Sequence, residues 1–259
     1  MIKSNARLYG GHCFFNSLAK IPALYLQQTE KNMIRKTISL FALFTLISLT
    51  MFAQAAKVGA WYNYFGNQGF GKGWNWHNEI QYRNHNLGGD LDQLLIRTGI
   101  GYNLTPNNNN ILLGYGYILN QPYIADTDEK TEFSEHRIFQ QFTTKQALGR
   151  VNLQHRYRIE ERFFQDKYAT RFRYHLSLTI PLNKKVMDKG AVYLSAYNEI
   201  FINAQKEHYD RNRLYGAIGY NLRKDLRFEV GFMQQVARTR TTNQLQVAIF
   251  NNIPFKKVS

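Results

Sequence analysis

The sequence predicts an all-β protein, an antiparallel up-and-down transmembrane β-barrel of about ten strands, with twelve strands as the alternative count. Three observations predict it. Apolar and polar residues alternate with a period of two along most of the chain after residue 56. The alternating segments are long, and an export signal precedes them. Long alternating strands in an exported chain are typical of barrels of the bacterial outer membrane.

The export signal lies near the N-terminus. A basic segment at 31–36 is followed by an uncharged apolar run at 38–52, and the small residues Ala53 and Ala55 follow that run. This arrangement is that of a cleaved secretory signal peptide. A retained N-terminal anchor is the alternative interpretation, but the apolar run is shorter than the roughly 20 residues of a membrane-spanning helix.

The signal peptide predicts how the chain is divided. Signal peptides begin close to the initiator methionine, and Met33 occupies that position. We therefore expect a mis-annotated upstream extension at 1–32, a signal peptide at 33–55 and a single β-barrel domain at 56–259. Cys13 is the only cysteine and lies in the upstream extension. Disulfides, thiolate catalysis and lipidation at a cleavage-site cysteine are thus excluded for the mature chain.

The mature part is basic and aromatic. The chain has 33 Lys and Arg against 18 Asp and Glu, and six of the basic residues and one acidic residue lie in 1–55. The net charge of the mature part is therefore about +10. After residue 56 no apolar run reaches the length of a membrane-spanning helix. A soluble basic domain has a similar charge, so the arrangement of the alternation decides between the two classes.

The alternation predicts strands with one apolar and one polar face. Between 168 and 180, residues such as Phe172 and Leu176 alternate with Arg171 and Arg173. Most segments run ten to fifteen residues, whereas a tilted strand needs about nine to eleven residues to cross a bilayer. Aromatic residues concentrate toward the segment ends, as expected of the aromatic girdles of such barrels. The expected strands are 58–65, 74–84, 91–104, 110–120, 136–146, 150–162, 168–182, 190–203, 211–222, 225–238 and 243–251.

The connections between these strands form two alternating sets. We assign the compact turns to the periplasm and the other set, in which 121–135 is long, to the exterior. This leaves ten strands from Trp74 onward, with both chain ends in the periplasm and 58–65 as an extra strand or a periplasmic lead-in. The last segment ends in Phe250 and Phe255 and resembles the aromatic-ended final strand of such barrels, although 256–259 follow it. The compact turns are 106–110, 146–149, 183–190 and 223–225, and the other set is 84–90, 121–135, 163–167 and 204–210.

Charged residues occupy the face opposite the apolar one. An arginine facing lipid at mid-bilayer costs roughly 2–4 kcal/mol, so we expect these residues to face the lumen. Two interpretations remain open: a cationic lumen that attracts an anionic solute, and a narrow barrel filled by Arg–Glu pairs and water. We also expect ion pairs between neighbouring strands. The expected lumen-facing charged residues are Glu79, Arg83, Arg97, Arg156, Arg158, Glu160, Arg171, Arg173, Arg213, Arg227 and Glu229.

Other functional patterns are weak in this sequence. No histidine pair has zinc-ligand spacing, and no nucleophile elbow or phosphate-binding loop is present, so no metal, cofactor or catalytic residue is predicted. The acidic segment 126–135 fits no EF-hand and reads as a solvated surface loop. The arginines lie at alternating strand positions rather than in one cluster, which argues against nucleic-acid binding.

Several segments together resemble a bacterial family. The motifs occur in one order along the chain: EIQYR at 79–83, RTGIGY at 97–102, GYGY at 114–117, EHRIFQQ at 135–141, HRYRIEERF at 155–163, RFRY at 171–174, NEIF at 198–201 and NRLYG at 212–216. The sequence resembles the uncharacterised domain of unknown function DUF2490 from residue 57 to about residue 255. The resemblance implies an outer-membrane-type barrel of unassigned role, and it implies no catalytic residues.

The leading functional hypothesis is therefore an outer-membrane barrel, either a small pore with a cationic lumen or a structural and surface-interaction protein. The expected partners are outer-membrane lipid, lipopolysaccharide, the barrel-assembly machinery and an anionic solute. A secreted soluble β-barrel that binds an acidic or lipidic ligand is the second hypothesis, and an outer-membrane lipid-modifying enzyme is the third. A soluble barrel would carry charges on its outer face, and an enzyme would need a Ser/His/acid group near the rim.

Overall fold

The computed structural model describes residues 58–106, 108–205 and 207–255. Within these ranges the chain forms a closed barrel of eleven strands. The expected upstream extension, the signal peptide and Cys13 lie outside the described residues. The strands are β1 (Gly59–Gly71), β2 (Trp74–Asn84), β3 (Leu91–Asn103), β4 (Asn109–Asn120), β5 (Phe133–Leu148), β6 (Val151–Phe163), β7 (Tyr168–Pro181), β8 (Val192–Asn203), β9 (Tyr209–Arg223), β10 (Leu226–Ala237) and β11 (Thr241–Asn251).

Sequential strands pair antiparallel around the barrel, and β1 closes it by pairing with β11 in parallel, from Gly59 opposite Gln244 to Gly66 opposite Asn251. The expected count of ten or twelve strands is therefore wrong. The segment considered as an extra strand or a lead-in is a full strand of 13 residues. Because the strand number is odd, β1 begins at one end of the barrel and β11 finishes at the other, so the expectation that both chain ends share one side is also wrong.

The two sets of connections lie at opposite ends of the barrel, as the alternation predicts. We call the end formed by 72–73, 104–108, 149–150, 182–191 and 224–225 the turn end. The end formed by 85–90, 121–132, 164–167, 204–208 and 238–240 is the loop end. The turn between β1 and β2 requires a left-handed backbone, with φ of 110° at Gly71, 51° at Lys72 and 83° at Gly73. Glycine is the residue that adopts such φ values without strain.

The barrel has its polar residues inside and its large apolar residues outside. In β2, Glu79 and Arg83 are almost fully buried, whereas Ile80 is 48% exposed and Trp74 is 45% exposed. The same inversion holds in β9, where Arg213 is buried and Leu214 and Ile218 are exposed. A period-two strand produces this pattern when its polar face lines the interior. No helix in the described ranges is long and apolar enough to cross a membrane.

Glycines on the inner face make room for large inward aromatics. A Cβ at Gly114 would lie 2.3 Å from Cζ of Phe139 on the adjacent strand, and one at Gly219 would lie 2.2 Å from Cζ of Tyr193. Both rings are completely buried inside the barrel. The small residues on β4 and β9 therefore allow the aromatic rings of β5 and β8 to fill part of the lumen.

The C-terminal segment departs from the expected aromatic-ended strand. Phe250 faces the lumen and stacks on Phe65, with ring centroids 5.0 Å apart. Phe255 lies beyond β11, where its backbone N–H donates to the carbonyl of Gly69 at 3.2 Å and its ring stacks on Trp76 at 5.7 Å. The outward apolar residues of β11 are Val247 and Ile249 with Leu245 before them.

Candidate functional site: an ion-paired cationic lumen

The eleven expected lumen residues are brought together inside the barrel. Nine of them are less than a tenth exposed, and Arg156 and Arg227 have side chains that are 21% and 33% exposed. The nine are Glu79, Arg83, Arg97, Arg158, Glu160, Arg171, Arg173, Arg213 and Glu229. Their inward direction follows from their strand positions, because each alternates with an apolar residue that faces outward.

Glu160 on β6 is one centre of the network and has no exposed surface. Its carboxylate accepts hydrogen bonds from Arg171 Nη2 at 2.6 Å and from Arg173 Nη1 at 2.5 Å, both on the neighbouring strand β7. Arg158 and Arg137 lie farther away, at 3.6 and 3.9 Å. One carboxylate is thus surrounded by four guanidinium groups. The expected cross-strand ion pairs are present here.

Glu199 on β8 is the second centre. Its Oε1 accepts from Arg173 Nη2 at 2.6 Å and from Arg156 Nη2 at 2.7 Å. Arg213 lies 3.7 Å from its other oxygen. Because Arg173 donates to both Glu160 and Glu199, it links the two centres into one network across β6, β7 and β8.

A third group of charges fills the lumen toward the loop end. Glu135 is 1% exposed and accepts two hydrogen bonds from Arg137, at 2.6 and 2.7 Å, and two from Arg162, at 2.5 and 3.1 Å. Asp210 accepts from Arg171 at 2.8 Å and from Arg211 at 3.1 Å. Bidentate arginine–carboxylate pairs of this kind are strong and hold a fixed geometry. The loop-end half of the lumen is therefore packed with paired charges.

Glu79 and Glu229 are held separately from these centres. Glu79 accepts from Arg97 Nη1 at 2.5 Å. Glu229 accepts from the hydroxyl groups of Tyr193 and Tyr215, at 3.0 and 3.4 Å, and lies 3.7 Å from Arg227. Every one of the expected acidic lumen residues therefore accepts at least one hydrogen bond.

Three buried arginines have glutamines as their closest partners. Arg83 donates to Gln81 and Gln93, Arg158 donates to Gln141 at 2.6 and 3.0 Å, and Arg213 donates to Gln235 at 2.9 Å. An amide carbonyl fixes a guanidinium group without cancelling its charge.

Two of these arginines share an aromatic partner. The guanidinium carbons of Arg83 and Arg213 lie 3.7 and 4.9 Å from the centroid of Trp61. Arg158 lies 4.4 Å from the centroid of Phe139. Such cation–π contacts partly stabilise desolvated cations but leave their N–H donors available.

A cavity of about 890 Å³ occupies the turn-end half of the lumen. Its inner end is formed by Trp61, Arg83, Arg158 and Arg213, and exposed residues such as Asn67 stand at its mouth. Glu135, Arg137, Glu160 and Arg171 are not among its lining residues. The lumen is therefore a chamber open at the turn end and obstructed by the ion-pair network at the loop end. We refer to this cavity as the chamber.

Sequence reasoning missed six residues of the network, Glu135, Arg137, Arg162, Glu199, Asp210 and Arg211. Glu135 was grouped with the acidic segment, yet it belongs to β5 and is buried, whereas Asp126, Asp128 and Glu129 of that segment are exposed. The spacing Glu135–Arg137–Phe139 places all three on one face and was the available signal. At Glu199 the inward residues Tyr197 and Phe201 are aromatic, so the polar face was not distinct.

The histidines are divided between the two faces. His136 and His155 face outward and contact the hydroxyl groups of Tyr115 and Tyr174, at 2.5 and 2.9 Å. His77 and His175 line the chamber. Within the ranges that the structure describes, no three His, Cys, Asp or Glu side chains are grouped closely enough to hold a metal ion.

Fold and site together define a closed all-β barrel with an apolar exterior and an ion-paired, cationic interior. The model of the family described as "Protein of unknown function (DUF2490)" matches residues 58–246, and the chain belongs to this family. No curated protein and no solved structure matches the chain.

Proposed function

We propose that the chain is an exported outer-membrane β-barrel whose lumen is plugged at the loop end and forms a solute-binding chamber at the turn end. The single observation that carries this proposal is the distribution of side chains, which is the reverse of that in a soluble protein. Charged side chains such as Glu160 and Arg171 are buried, while large apolar side chains are exposed on the outer face.

The exposed apolar surface supports insertion into a bilayer. Leu113 on β4 is 61% exposed, and residues on each of the other strands from β1 to β11 contribute further exposed apolar side chains. Soluble monomers rarely expose contiguous apolar patches of more than a few hundred Å². Lipid chains would cover such a belt.

Aromatic side chains flank this belt at both ends of the barrel. Outward aromatics near the loop end include Tyr62, Tyr82 and Tyr168, and those near the turn end include Trp74 and Tyr102. Two aromatic girdles are expected where a barrel meets the two membrane interfaces. The strands contain 11 to 16 residues, which is enough to cross a bilayer at a tilt.

The ion-pair network at the loop end favours a binding or structural role over an open pore. Conduction requires a continuous polar path, and the packed pairs around Glu135 and Glu160 occupy the loop-end half of the lumen. We therefore propose that the barrel conducts ions poorly at rest. The lipid, lipopolysaccharide and assembly-machinery contacts expected from the sequence are part of this proposal.

A non-enzymatic role is also part of the proposal. The lumen carboxylates Glu79, Glu160 and Glu199 each accept a hydrogen bond from an arginine. A carboxylate paired in this way is a weak general base, because the adjacent cation stabilises its ionised form. This supports a role in binding rather than in proton transfer.

The first experiment compares gel migration of the protein from isolated outer membranes with and without boiling in detergent. A boiling-dependent shift in that fraction is the expected result for a closed transmembrane barrel. No shift, with the protein soluble in the periplasm, would replace the membrane assignment with the secreted soluble barrel.

Conductance measurements in planar bilayers then test whether the ion-pair network at the loop end blocks the lumen. The wild-type barrel should show small or infrequent conductance steps, because the ion-pair network blocks the path. A stable, open, anion-selective conductance would instead identify the small pore that the sequence left as the other alternative.

A further inference from the structure

We infer that the chamber binds a hydroxyl-rich solute that carries an anionic group, that is, an acidic or phosphorylated saccharide, with the anionic group held at Arg83, Arg158 and Arg213. The inference rests on the chamber of the proposed function and adds the chemical class of its occupant. Four features of the chamber lead to it.

The first feature is an excess of positive charge. The chamber is lined by eight arginine and lysine side chains but by only three carboxylates, those of Glu79, Glu199 and Glu229. Charges removed from bulk water are costly unless they are paired. The excess therefore favours an anion that enters from the open turn end and compensates the surplus cations.

The second feature is the way in which the three arginines are held. The nearest carboxylate oxygens lie 3.6 Å from Arg158 and 3.7 Å from Arg213, whereas their glutamine partners lie at 2.6 and 2.9 Å. Neutral glutamines thus orient these guanidinium groups at close range, and the more distant carboxylates compensate their charge only in part. A guanidinium group has five N–H donors in a planar arrangement that suits carboxylate and phosphate groups. The site is therefore preorganised for an oxyanion.

The third feature is a set of buried donors without partners. Trp61 Nε1 and the Nε atoms of Arg97 and Arg156 have no hydrogen-bond partner in the described part of the chain. Trp61 is 5% exposed, and all three residues line the chamber. Buried polar groups in folded proteins are normally hydrogen-bonded. These donors are suitable partners for oxygens of a bound solute.

The fourth feature is the composition of the chamber at and near its mouth. Side-chain amides of Asn67, Asn103, Asn108, Asn110 and Asn152 line this region. A side-chain amide has both hydrogen-bond donors and an acceptor. It can therefore donate to a sugar hydroxyl group or accept from one. The apolar rings of Phe65 and Phe250 line the same wall and can contact C–H faces.

The volume is consistent with such an occupant. Small-molecule sites commonly measure about 300–1,000 Å³, and the chamber measures about 890 Å³. A saccharide of one or two rings fits within it, with the anionic group inward and the hydroxyl groups toward the mouth. Carboxylated and phosphorylated sugars share this chemistry, and the experiment separates them.

Trp61 provides the first readout, because it contacts Arg83 and Arg213 in the chamber, whereas Trp74 and Trp76 face outward. The full mature barrel in detergent is titrated with glucose 6-phosphate, glucuronate, glucose and inorganic phosphate. We expect a saturable change in fluorescence with at least one of the two sugar anions. Its affinity should exceed that for glucose and for inorganic phosphate by at least tenfold. The change should be lost in Trp61→Phe, which assigns the signal.

Calorimetry on variants provides the second readout. Arg158→Gln and Arg213→Gln should each weaken binding of the preferred sugar anion by tenfold or more. Arg223→Gln is the matched control, because Arg223 is the last residue of β9, has a side chain that is 60% exposed and does not line the chamber. The affinity of this variant should match that of the wild type. Where an arginine variant fails to fold, Gln141→Leu, which removes the partner that orients Arg158, tests the same site.

Several results would overturn the inference. Equal affinity for inorganic phosphate and both sugar anions would show a counter-ion site only, and equal affinity for glucose would show no role for the arginines. No binding by a barrel that migrates as heat-modifiable would overturn this inference and leave the proposed membrane function intact. Binding by a barrel found soluble in the periplasm would support this inference and overturn the proposed membrane function.

Discussion

Arg173 donates from Nη1 to Oε1 of Glu160 at 2.5 Å, and both side chains are almost completely buried on adjacent strands. The same guanidinium group donates to Glu199 on the other neighbouring strand. A single arginine therefore connects three strands through two carboxylates. Because the pairs are desolvated, removal of either partner leaves a buried charge without compensation, and the penalty for that exceeds the net value of the pair.

Glu160→Gln should destabilise the barrel by about 3–5 kcal/mol, because the four arginines around the carboxylate would lose their shared anion. Urea unfolding of the refolded barrel in lipid vesicles measures the change in free energy. Glu161→Gln is the matched control on the same strand. Glu161 points away from the lumen and has no ion pair within the described residues, so a change below about 0.5 kcal/mol is expected. Equal effects of the two variants would contradict the network.

Arg173→Gln and Arg83→Gln should differ in their effects on the ligand-free barrel. The first variant breaks two buried ion pairs and should cost about 3–5 kcal/mol. The second removes a guanidinium group whose close partners are glutamines. This group and the guanidinium group of Arg213 both contact the ring of Trp61, so two positive charges lie close together. We expect a change of less than about 1 kcal/mol for it, or a stabilisation. A large loss of stability in Arg83→Gln would show that its charge is already compensated.

Gly114→Ala should destabilise the barrel by about 1–3 kcal/mol, because the new methyl group would overlap the buried ring of Phe139. Gly216→Ala is the control, since a Cβ there meets no atom within 4 Å. Thermal unfolding of both variants measures the difference. The double variant Gly114→Ala with Phe139→Leu should recover part of the loss, and additive losses would exclude the steric explanation.

Loop-end stability should depend on Asp90, which precedes β3 and contacts Lys130 and Tyr123 of the β4–β5 connection. Partial burial raises the pKa of Asp90, but the hydrogen bonds from Lys130 and Tyr123 and the charge of Lys130 outweigh this effect and hold the pKa below its usual value. The contact therefore stabilises the loop at pH values above the ordinary pKa of aspartate. This stabilisation is lost as the pH falls through the lowered pKa.

Carboxyl NMR on the barrel in micelles should find the Asp90 titration midpoint below that of an unfolded aspartate. Lys130→Met should raise the midpoint, because it removes both the hydrogen bond and the charge. An unchanged midpoint in Lys130→Met would show that Lys130 does not hold the carboxylate in solution.

The parallel pairing of β1 and β11 predicts which residues share an end of the barrel. The sequence has no cysteine after Cys13, so single cysteines report their own position. Val58→Cys should react with an impermeant maleimide under the same conditions as Asn86→Cys at the loop end. Lys224→Cys at the turn end should show the opposite accessibility. Labelling of Val58→Cys together with Lys224→Cys would contradict the eleven-strand closure.

Local alternation predicted most strands and the direction of the lumen side chains, because charged and apolar residues fall on opposite faces of a strand with a period of two. It did not predict the strand number. β1 contains four glycines among thirteen residues, and the polar Gln68 shares a face with Tyr62 and Tyr64, so the alternation is weak there. The rule that bacterial barrels have an even number of strands then favoured ten.

The partners of the lumen charges could not be predicted, because they depend on register. Arg173 lies opposite Phe201 and Arg158 in the strand pairing, yet it binds Glu160 and Glu199, which are diagonal neighbours. A single sequence does not specify which diagonal contacts form. The chamber was unpredictable for the same reason, since its inner end combines Trp61, Arg83 and Arg213 from strands that are distant in sequence.

The odd strand number also governs how the chain could be rearranged. In an even-stranded barrel the natural ends lie on one rim, so a short turn can join them and new ends can be opened elsewhere. Here Gly59 lies opposite Gln244, and seven further residues lead to Asn251 at the other rim, a separation of roughly 23 Å at the rise of a β-strand. A linker would have to cross the packed lumen or run along the apolar exterior. Circular permutation of this fold therefore needs a linker that spans the height of the barrel, whereas a short turn is enough in an even-stranded barrel.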